Sequence, residues 1–200
     1  MEARDEAEAR AQAGARATVE SREAPGAIES RLARARLLAL DVDGVLTDGR
    51  VVYGAHGPAD ERPAFDVQDG LALRWLAQAG VVVAWISGRG SPAVWHRARE
   101  LGVREVHLKT AAKGETLREI QSRLGIARGE TVAMGDDLPD LGLRVASAFF
   151  AAPANARAEV KERADHVTAA AGGRGAVREL AELILRAKGR WEAIVDAAQQ

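Results

Sequence analysis

Apolar and polar positions settle into a regular pattern only after about residue 27. Ile28, Leu32 and Ala35 recur at helical spacing, and Leu37-Leu38-Ala39-Leu40 then forms a short continuous apolar run that ends in Asp41. Similar runs follow at 81–86, around 103–108, at 131–134 and around 145–150, with amphipathic helical stretches between them at 71–79, 92–101 and 115–124. Short apolar strands alternating with helices predict a parallel sheet covered on both faces. Residues 50–67 interrupt the alternation. Val51-Val52-Tyr53, a stretch from Gly54 to Pro63, and a second run from Ala64 to Val67 predict a β-hairpin projecting after the first strand. A last helix is expected over 176–188. Residues 1–27, which carry almost nothing large and apolar, predict a frayed or disordered extension, because a short helix without an apolar face is marginal in water. The pattern divides the chain into that extension, a domain over 28–188 and a tail over 189–200. Trp191 on that tail is expected to pack against a neighbouring subunit.

Composition narrows the function. The 200 residues carry 28 Lys+Arg against 29 Asp+Glu, a formal charge of −1, without the basic surplus of a dedicated nucleic-acid binder. No apolar run approaches the roughly 18 residues of a membrane span, and the first residues do not read as a secretory signal. Cysteine is absent, which removes disulfides, thiolate metal sites and cysteine nucleophiles together. The expectation is a cytoplasmic protein with no nucleic acid or membrane as partner. Arg outnumbers Lys by 24 to 4, so each lysine draws separate attention.

In an open parallel sheet, ligands sit beyond the carboxyl ends of the strands. The first strand delivers Asp41-Val42-Asp43-Gly44 there, the next Ser87-Gly88-Arg89, and a later one Gly135-Asp136-Asp137-Leu138-Pro139-Asp140, with Lys113 just before a helix. Asp41 and Asp43, with Asp136 brought in from another strand, would repel unless a cation sits among them. Carboxylates without His or Cys select Mg²⁺ over zinc. Taken alone, the first motif also reads as an Asp-rich turn capping a helix, Ser87 as a helix N-cap or a phosphate site, and Lys113 as a solvated lysine. Together they describe phosphoryl transfer. Asp41 would attack phosphorus, Asp43 would protonate the leaving alcohol and then deprotonate water, and Lys113 would hold the phosphoryl oxygens.

This order of motifs resembles the haloacid dehalogenase superfamily of aspartyl phosphotransferases, and the resemblance implies a Rossmann-like α/β fold without a separate cap domain. Asp41-Val42-Asp43-Gly44-Val45-Leu46-Thr47-Asp48-Gly49, Phe65-Asp66-Val67-Gln68-Asp69-Gly70, the segment 135–140 and Gly172-Gly173-Arg174-Gly175 are similar to the 3-deoxy-D-manno-octulosonate 8-phosphate phosphatase family. The resemblance covers about residues 30–190. It implies Asp41 as nucleophile and Mg²⁺ ligand, and Asp43 as acid/base with its backbone carbonyl on the metal. Asp136 would bind Mg²⁺ directly, Ser87 and Lys113 would hold the phosphoryl group, and Gly88, Asp137 and Asp140 would support the site. Contacts to an acidic sugar phosphate would fall on Asp66, Val67, Gln68, Asp69, Gly70, Arg74, Arg89, Arg97 and Arg174. It also implies a homotetramer in which the hairpin and a neighbour's C-terminal segment close the site, and a product that feeds lipopolysaccharide synthesis.

Some positions depart from the family's pattern. Asp66-Val67-Gln68 stands where Asn-Val-Arg is frequent, which trades a cation for an anion near the sugar. Val106-His107-Leu108-Lys109-Thr110 replaces a Tyr-Gln-Gly-like segment, and the hairpin carries extra residues over 55–61. These changes leave the phosphatase expectation intact and a nine-carbon, sialic-acid-type sugar 9-phosphate as an alternative substrate. A non-catalytic oligomerisation domain of the same fold is a separate alternative, against which the intact set of Asp41, Asp43, Ser87, Lys113 and Asp136 argues. A receiver-type signalling module fits less well, because its phosphorylated Asp lies on a middle strand after its acidic pair. A phosphomutase would need a cap larger than any insertion in the chain.

Overall fold

The computed structural model describes residues 26–199, so the expectation for the N-terminal extension lies outside the described residues as far as residue 25. The elements run α1 (Ala27–Ala33), β1 (Leu37–Leu40), β2 (Tyr53–Gly54), β3 (Gly57–Glu61), α2 (Val67–Gln78), β4 (Val82–Ser87), α3 (Pro92–Leu101), β5 (Glu105–Leu108), α4 (Lys113–Leu124), β6 (Thr131–Met134), α5 (Leu141–Ala146), β7 (Phe149–Ala152), α6 (Ala158–Lys161), β8 (His166–Val167), α7 (Ala176–Ala187) and α8 (Trp191–Ala197). Six strands form one sheet in the order β5-β4-β1-β6-β7-β8, parallel throughout. The hairpin β2-β3 forms a separate antiparallel pair. This is the expected α/β architecture, with the hairpin after the first strand.

Alternation along each strand feeds two apolar layers. Leu38, Leu40, Trp85, Val132 and Met134 face a cluster completed by α1, α2, α3 and α7. Leu37, Ala39, Ile86, Ala133 and Phe150 face a second cluster built from α4, α5 and α6. Strands buried on both faces read as continuous apolar runs rather than alternating ones, which is why β1 and β6 stand out in the sequence. From β1 the chain winds outward to β4 and β5, then crosses back through α4 to β6 on the other side of β1. That reversal opens a crevice at the carboxyl ends of β1 and its neighbours, where Leu40 lies beside both Trp85 and Met134.

Four expectations are corrected. The hairpin strands are not 51–53 and 64–67: Tyr53–Gly54 pairs with Gly57–Glu61 across a short turn, so the supposed insertion is itself a strand. Val51 and Val52 are exposed; their apolar character marks a surface and not a ladder. The run around 145–150 is two elements, since Val145 sits exposed on α5 and the strand begins at Phe149. A short apolar run cannot distinguish helix from strand by periodicity. Helix α2 starts four residues early because Asp66 caps it, its carboxylate accepting from the Gln68 and Asp69 N–H groups at 2.6 and 3.3 Å. Finally, the expected tail is helical over Trp191–Ala197. Trp191 packs edge-on against Trp75 of its own chain, ring centroids 5.8 Å apart, with the Arg178 and Arg186 guanidinium groups over its ring.

Candidate active site

Asp41 follows the last residue of β1, held by its N–H on the Met134 carbonyl at 3.1 Å, and is 4% exposed. The turn behind it is tied to the Val42 carbonyl, which accepts N–H bonds from Leu46 and Thr47. It is also fixed from outside. The Asn155 amide donates to the Gly44 carbonyl at 2.9 Å while its oxygen accepts from the Gly172 N–H at 2.6 Å. A side chain at Gly172 would overlap that same Gly44 carbonyl, so the glycine-rich segment 172–175 is needed for close backbone approach.

Lys113 is the first residue of α4, where a cation is disfavoured by the helix dipole, and it is buried. Its ammonium lies 2.6 Å from both Asp41 Oδ1 and Asp140 Oδ1. Burial alone would lower its pKa, but the Asp41 and Asp140 charges outweigh that and hold it above the usual lysine value. The close packing that puts Asp140 in reach depends on Gly114, where an added Cβ would stand 2.6 Å from the Gly142 carbonyl oxygen. Asp140 also accepts through Oδ2 from the Asp136 and Asp137 N–H groups at 3.0 and 3.1 Å, so both its oxygens are committed to holding Lys113 and the turn.

Burial and then the neighbouring Asp140 charge push Asp41 up to about 8, with Lys113 opposing. Burial, then Asp140 and Asp137, push Asp136 up to about 6. Carboxylate oxygens of Asp41, Asp136 and Asp140 lie within 4.8 Å of one another. One ammonium does not balance this much negative charge in a buried place. An all-oxygen donor set short of positive charge fits a hard divalent cation, and since both Asp140 oxygens are already hydrogen-bonded, Asp41 and Asp136 are the carboxylates that could face one.

Asp43 points elsewhere. Its Oδ2 accepts from the Ser87 hydroxyl at 3.2 Å and its Oδ1 is 3.9 Å from Arg89 Nε. Ser87 Oγ accepts from the Arg89 N–H at 3.0 Å. Ser87 is not a helix cap: Ser91 caps α3, accepting from the Ala93 N–H. Asp41, Asp43, Ser87, Lys113 and Asp136 therefore meet at one sheet edge, with Lys113 among Asp41 and its neighbouring carboxylates on one side and the Asp43–Ser87 pair on the other.

The comparisons with known proteins follow this geometry. A haloacid dehalogenase-like hydrolase family model matches residues 96–180. The 3-deoxy-D-manno-octulosonate 8-phosphate phosphatase of Haemophilus influenzae is 36% identical over 172 residues, 86% of this chain and 94% of that protein. The enzyme of the same name from Escherichia coli K12 is 39% identical over 155 residues, 78% of this chain and 81% of that protein. The chain belongs to the 3-deoxy-D-manno-octulosonate 8-phosphate phosphatase family. As a member it is a phosphoric monoester hydrolase. A crystal structure of the Moraxella catarrhalis phosphatase, in complex with magnesium ion, phosphate ion and KDO, superposes with a TM-score of 0.84 at 37% identity. It covers 88% of this chain and 100% of that one.

The remaining residues expected at the site of a family phosphatase fall in several places. Asp66, Val67, Gln68 and Arg174 line one cavity of about 370 Å³ with Asp48 and Phe65. Arg89 stands beside Asp43, and Gly88 is exposed between it and Ser87. Asp69, Gly70, Arg74 and Arg97 are engaged elsewhere. The buried Asp69 carboxylate accepts from the Arg178 N–H at 2.7 Å and the Gly175 N–H at 3.4 Å, supplying α7 with the N-terminal cap that its own Gly175 lacks. Arg97 donates to the Asp66 carbonyl and to Glu100, crossing Gly70 so closely that a side chain there would collide with it. Arg74 reaches the Glu100 carbonyl on α3. Asp137 is exposed and caps the turn at Leu138. Sequence reasoning missed Asn155; its one signal is a lone amide just past the β7 strand end. No helix of the described residues is long and apolar enough to cross a membrane.

Proposed function

We propose that the chain hydrolyses 3-deoxy-D-manno-octulosonate 8-phosphate to 3-deoxy-D-manno-octulosonate and phosphate in a Mg²⁺-dependent reaction, with Asp41 as the nucleophile. The observation that carries this reading is Lys113 bridging Asp41 and Asp140 beside Asp136 at the sheet edge, together with 36–39% identity to phosphatases of that name. Asp41 Oδ attacks phosphorus, the bond to the sugar oxygen breaks, and an aspartyl-phosphate forms on Asp41. Asp43 gives its proton to the departing oxygen, then takes one from the water that releases phosphate. Ser87 and Lys113 hold the phosphoryl oxygens. Asp41, Asp136 and the Asp43 backbone carbonyl would hold Mg²⁺, which when bound supplies positive charge for the transferring group. Asp140 acts through Lys113 by fixing its ammonium.

The eight-carbon substrate is favoured over the nine-carbon one. Asp66 spends its carboxylate on capping α2, and Asp and Asn cap a helix about equally well. The exchange of Asn for Asp thus keeps the shape of that turn, and the preference for the eight-carbon acid rests on the 36–39% identity to phosphatases of that name. Arg174 remains exposed at the cavity to pair with a sugar carboxylate. The tetramer is proposed on the exposed Val51, Val52 and Tyr53 of the hairpin region, which a neighbour would cover, and a cytoplasmic location goes with the proposed pathway.

The test is phosphate release with Mg²⁺, and with EDTA, from a panel of eight- and nine-carbon ulosonate phosphates. Preference for the eight-carbon acid supports the reading. Preference for a nine-carbon acid keeps the mechanism and changes the substrate, and no release from any of them overturns it.

A further inference from the structure

The hairpin reaches the catalytic edge through Glu61, the last residue of β3. Glu61 Oε1 lies 2.7 Å from Arg89 Nη2, and the Glu61 side chain is only 5% exposed while that of Arg89 is 43% exposed. Arg89 has a second carboxylate in range, Asp43, whose Oδ1 is 3.9 Å from its Nε. Its backbone is pinned on both sides, the N–H on Ser87 Oγ and the carbonyl on the Lys109 N–H. Only the side chain can move, and its position is set by the contest between the two carboxylates. The Glu61 contact is a hydrogen-bonded charge pair at short range, whereas the Asp43 contact is beyond hydrogen-bond distance.

We propose that Glu61 is a positioning residue for substrate selection: it holds the Arg89 guanidinium off Asp43 and presents the unused N–H groups to the carboxylate of an acidic sugar phosphate. This rests on the function proposed above. A guanidinium has five donors in a rigid plane, so anchoring one edge on a buried carboxylate orients the others. Without the anchor, Arg89 turns onto Asp43, the nearest remaining anion, and is lost to the substrate. Glu61 thereby makes the hairpin part of the selection of substrate.

The test compares kcat/KM for 3-deoxy-D-manno-octulosonate 8-phosphate with that for p-nitrophenyl phosphate, which has no carboxylate. In Glu61→Gln the preference for the acidic sugar over p-nitrophenyl phosphate falls about tenfold, chiefly through KM; this is the order of one charge-assisted hydrogen bond. Glu61→Asp, which keeps the charge on a shorter arm, loses part of the preference. Because Glu61 acts through Arg89, the double variant Glu61→Gln/Arg89→Gln matches Arg89→Gln alone. Equal losses on both substrates would make Glu61 a merely structural residue and overturn the proposal, as would additive effects in the double variant. A Glu61→Gln chain that does not fold leaves the decision to Glu61→Asp, where an unchanged preference overturns it. Should the unaltered enzyme cleave p-nitrophenyl phosphate but no acidic sugar phosphate, the function reading fails and this one with it.

Discussion

At the scale of single residues, the site is an excess of buried negative charge that one ammonium offsets only in part. Lys113 is buried between Asp41 and Asp140, so Lys113→Met removes the ammonium that pairs with two buried carboxylates. Breaking one partner of such a pair costs about 3–5 kcal/mol, and removing a charge that faces the transferring group costs roughly 10²–10³ in kcat. Lys113→Met should therefore melt markedly lower and turn over at least about a hundredfold more slowly; kcat within twofold of the parent would remove Lys113 from the phosphoryl site. Asp41→Asn keeps the shape and removes the nucleophile. Its steady-state turnover should fall by about 10⁴ or more with the fold retained by circular dichroism, and substantial residual activity would exclude Asp41 as nucleophile. The convergence of Asp41, Asp43, Ser87, Lys113 and Asp136 was legible in the sequence because each ends a strand, follows one within three residues or opens a helix at one edge of the sheet. Asn155 was not, because a lone amide in a loop has no spacing to mark it.

At the scale of elements, Asp69 shows how two helices are joined and why its role could not be read from the motif. Asp66 and Asp69 sit three apart at the start of α2: one caps that helix, and the other turns inward to cap α7 from outside. Sequence spacing cannot say which of two such carboxylates faces the ligand. Burial, with the Asp66 charge adding to it, pushes Asp69 up to about 6 against 3.8, while N–H bonds from Arg178 and Gly175 and the Arg178 charge oppose the rise. A raised folded-state pKa gives stability that is fully present below about 4 and is lost as pH rises through about 6. Two pH units correspond to about 3 kcal/mol. Asp69→Asn cannot ionise, so the stability of the parent relative to this variant should fall by up to that amount between pH 4 and 7. Denaturant unfolding with Mg²⁺ present checks it, and a difference that stays constant with pH would mean that Asp69 titrates alike in both states. The bounds of the hairpin strands and the helicity of α8 escaped the sequence pattern for a related reason. The polar segment Gly57–Glu61 forms a strand, and Trp191 packs on Trp75, from an element distant in sequence, and under Arg178 and Arg186 of the preceding α7.

At the scale of the whole molecule, the parallel sheet was implied by alternating strands and helices but its strand order was not, and the consequence of that order is that three carboxylates from two strand ends and the turn after one of them meet in one buried place. Without a divalent cation, protons fill the role: Asp41 stands near 8 and Asp136 near 6. A cation taken by these two must displace whatever protons they hold, so its affinity depends on pH. The sign follows from the direction of both shifts. Below about 6 both groups are protonated and compete with the metal; between 6 and 8 Asp136 is ionised and Asp41 largely protonated; above 8 both are free to bind. The Mg²⁺ concentration giving half-maximal phosphate release should therefore fall as pH is raised from 6 to 8.5, steepest toward the lower end where two protons are displaced rather than one. Binding the folded state alone also raises stability, by about 3 kcal/mol when the cation stands at a hundred times its dissociation constant. The melting temperature should thus climb with added Mg²⁺, more at pH 8.5 than at pH 6, and EDTA should reverse it. Asp136→Ala, which takes away one metal-facing carboxylate while leaving the Lys113 bridge intact, should flatten that climb. A melting temperature in the parent indifferent to Mg²⁺ at both pH values would mean that this carboxylate cluster is not where the cation binds.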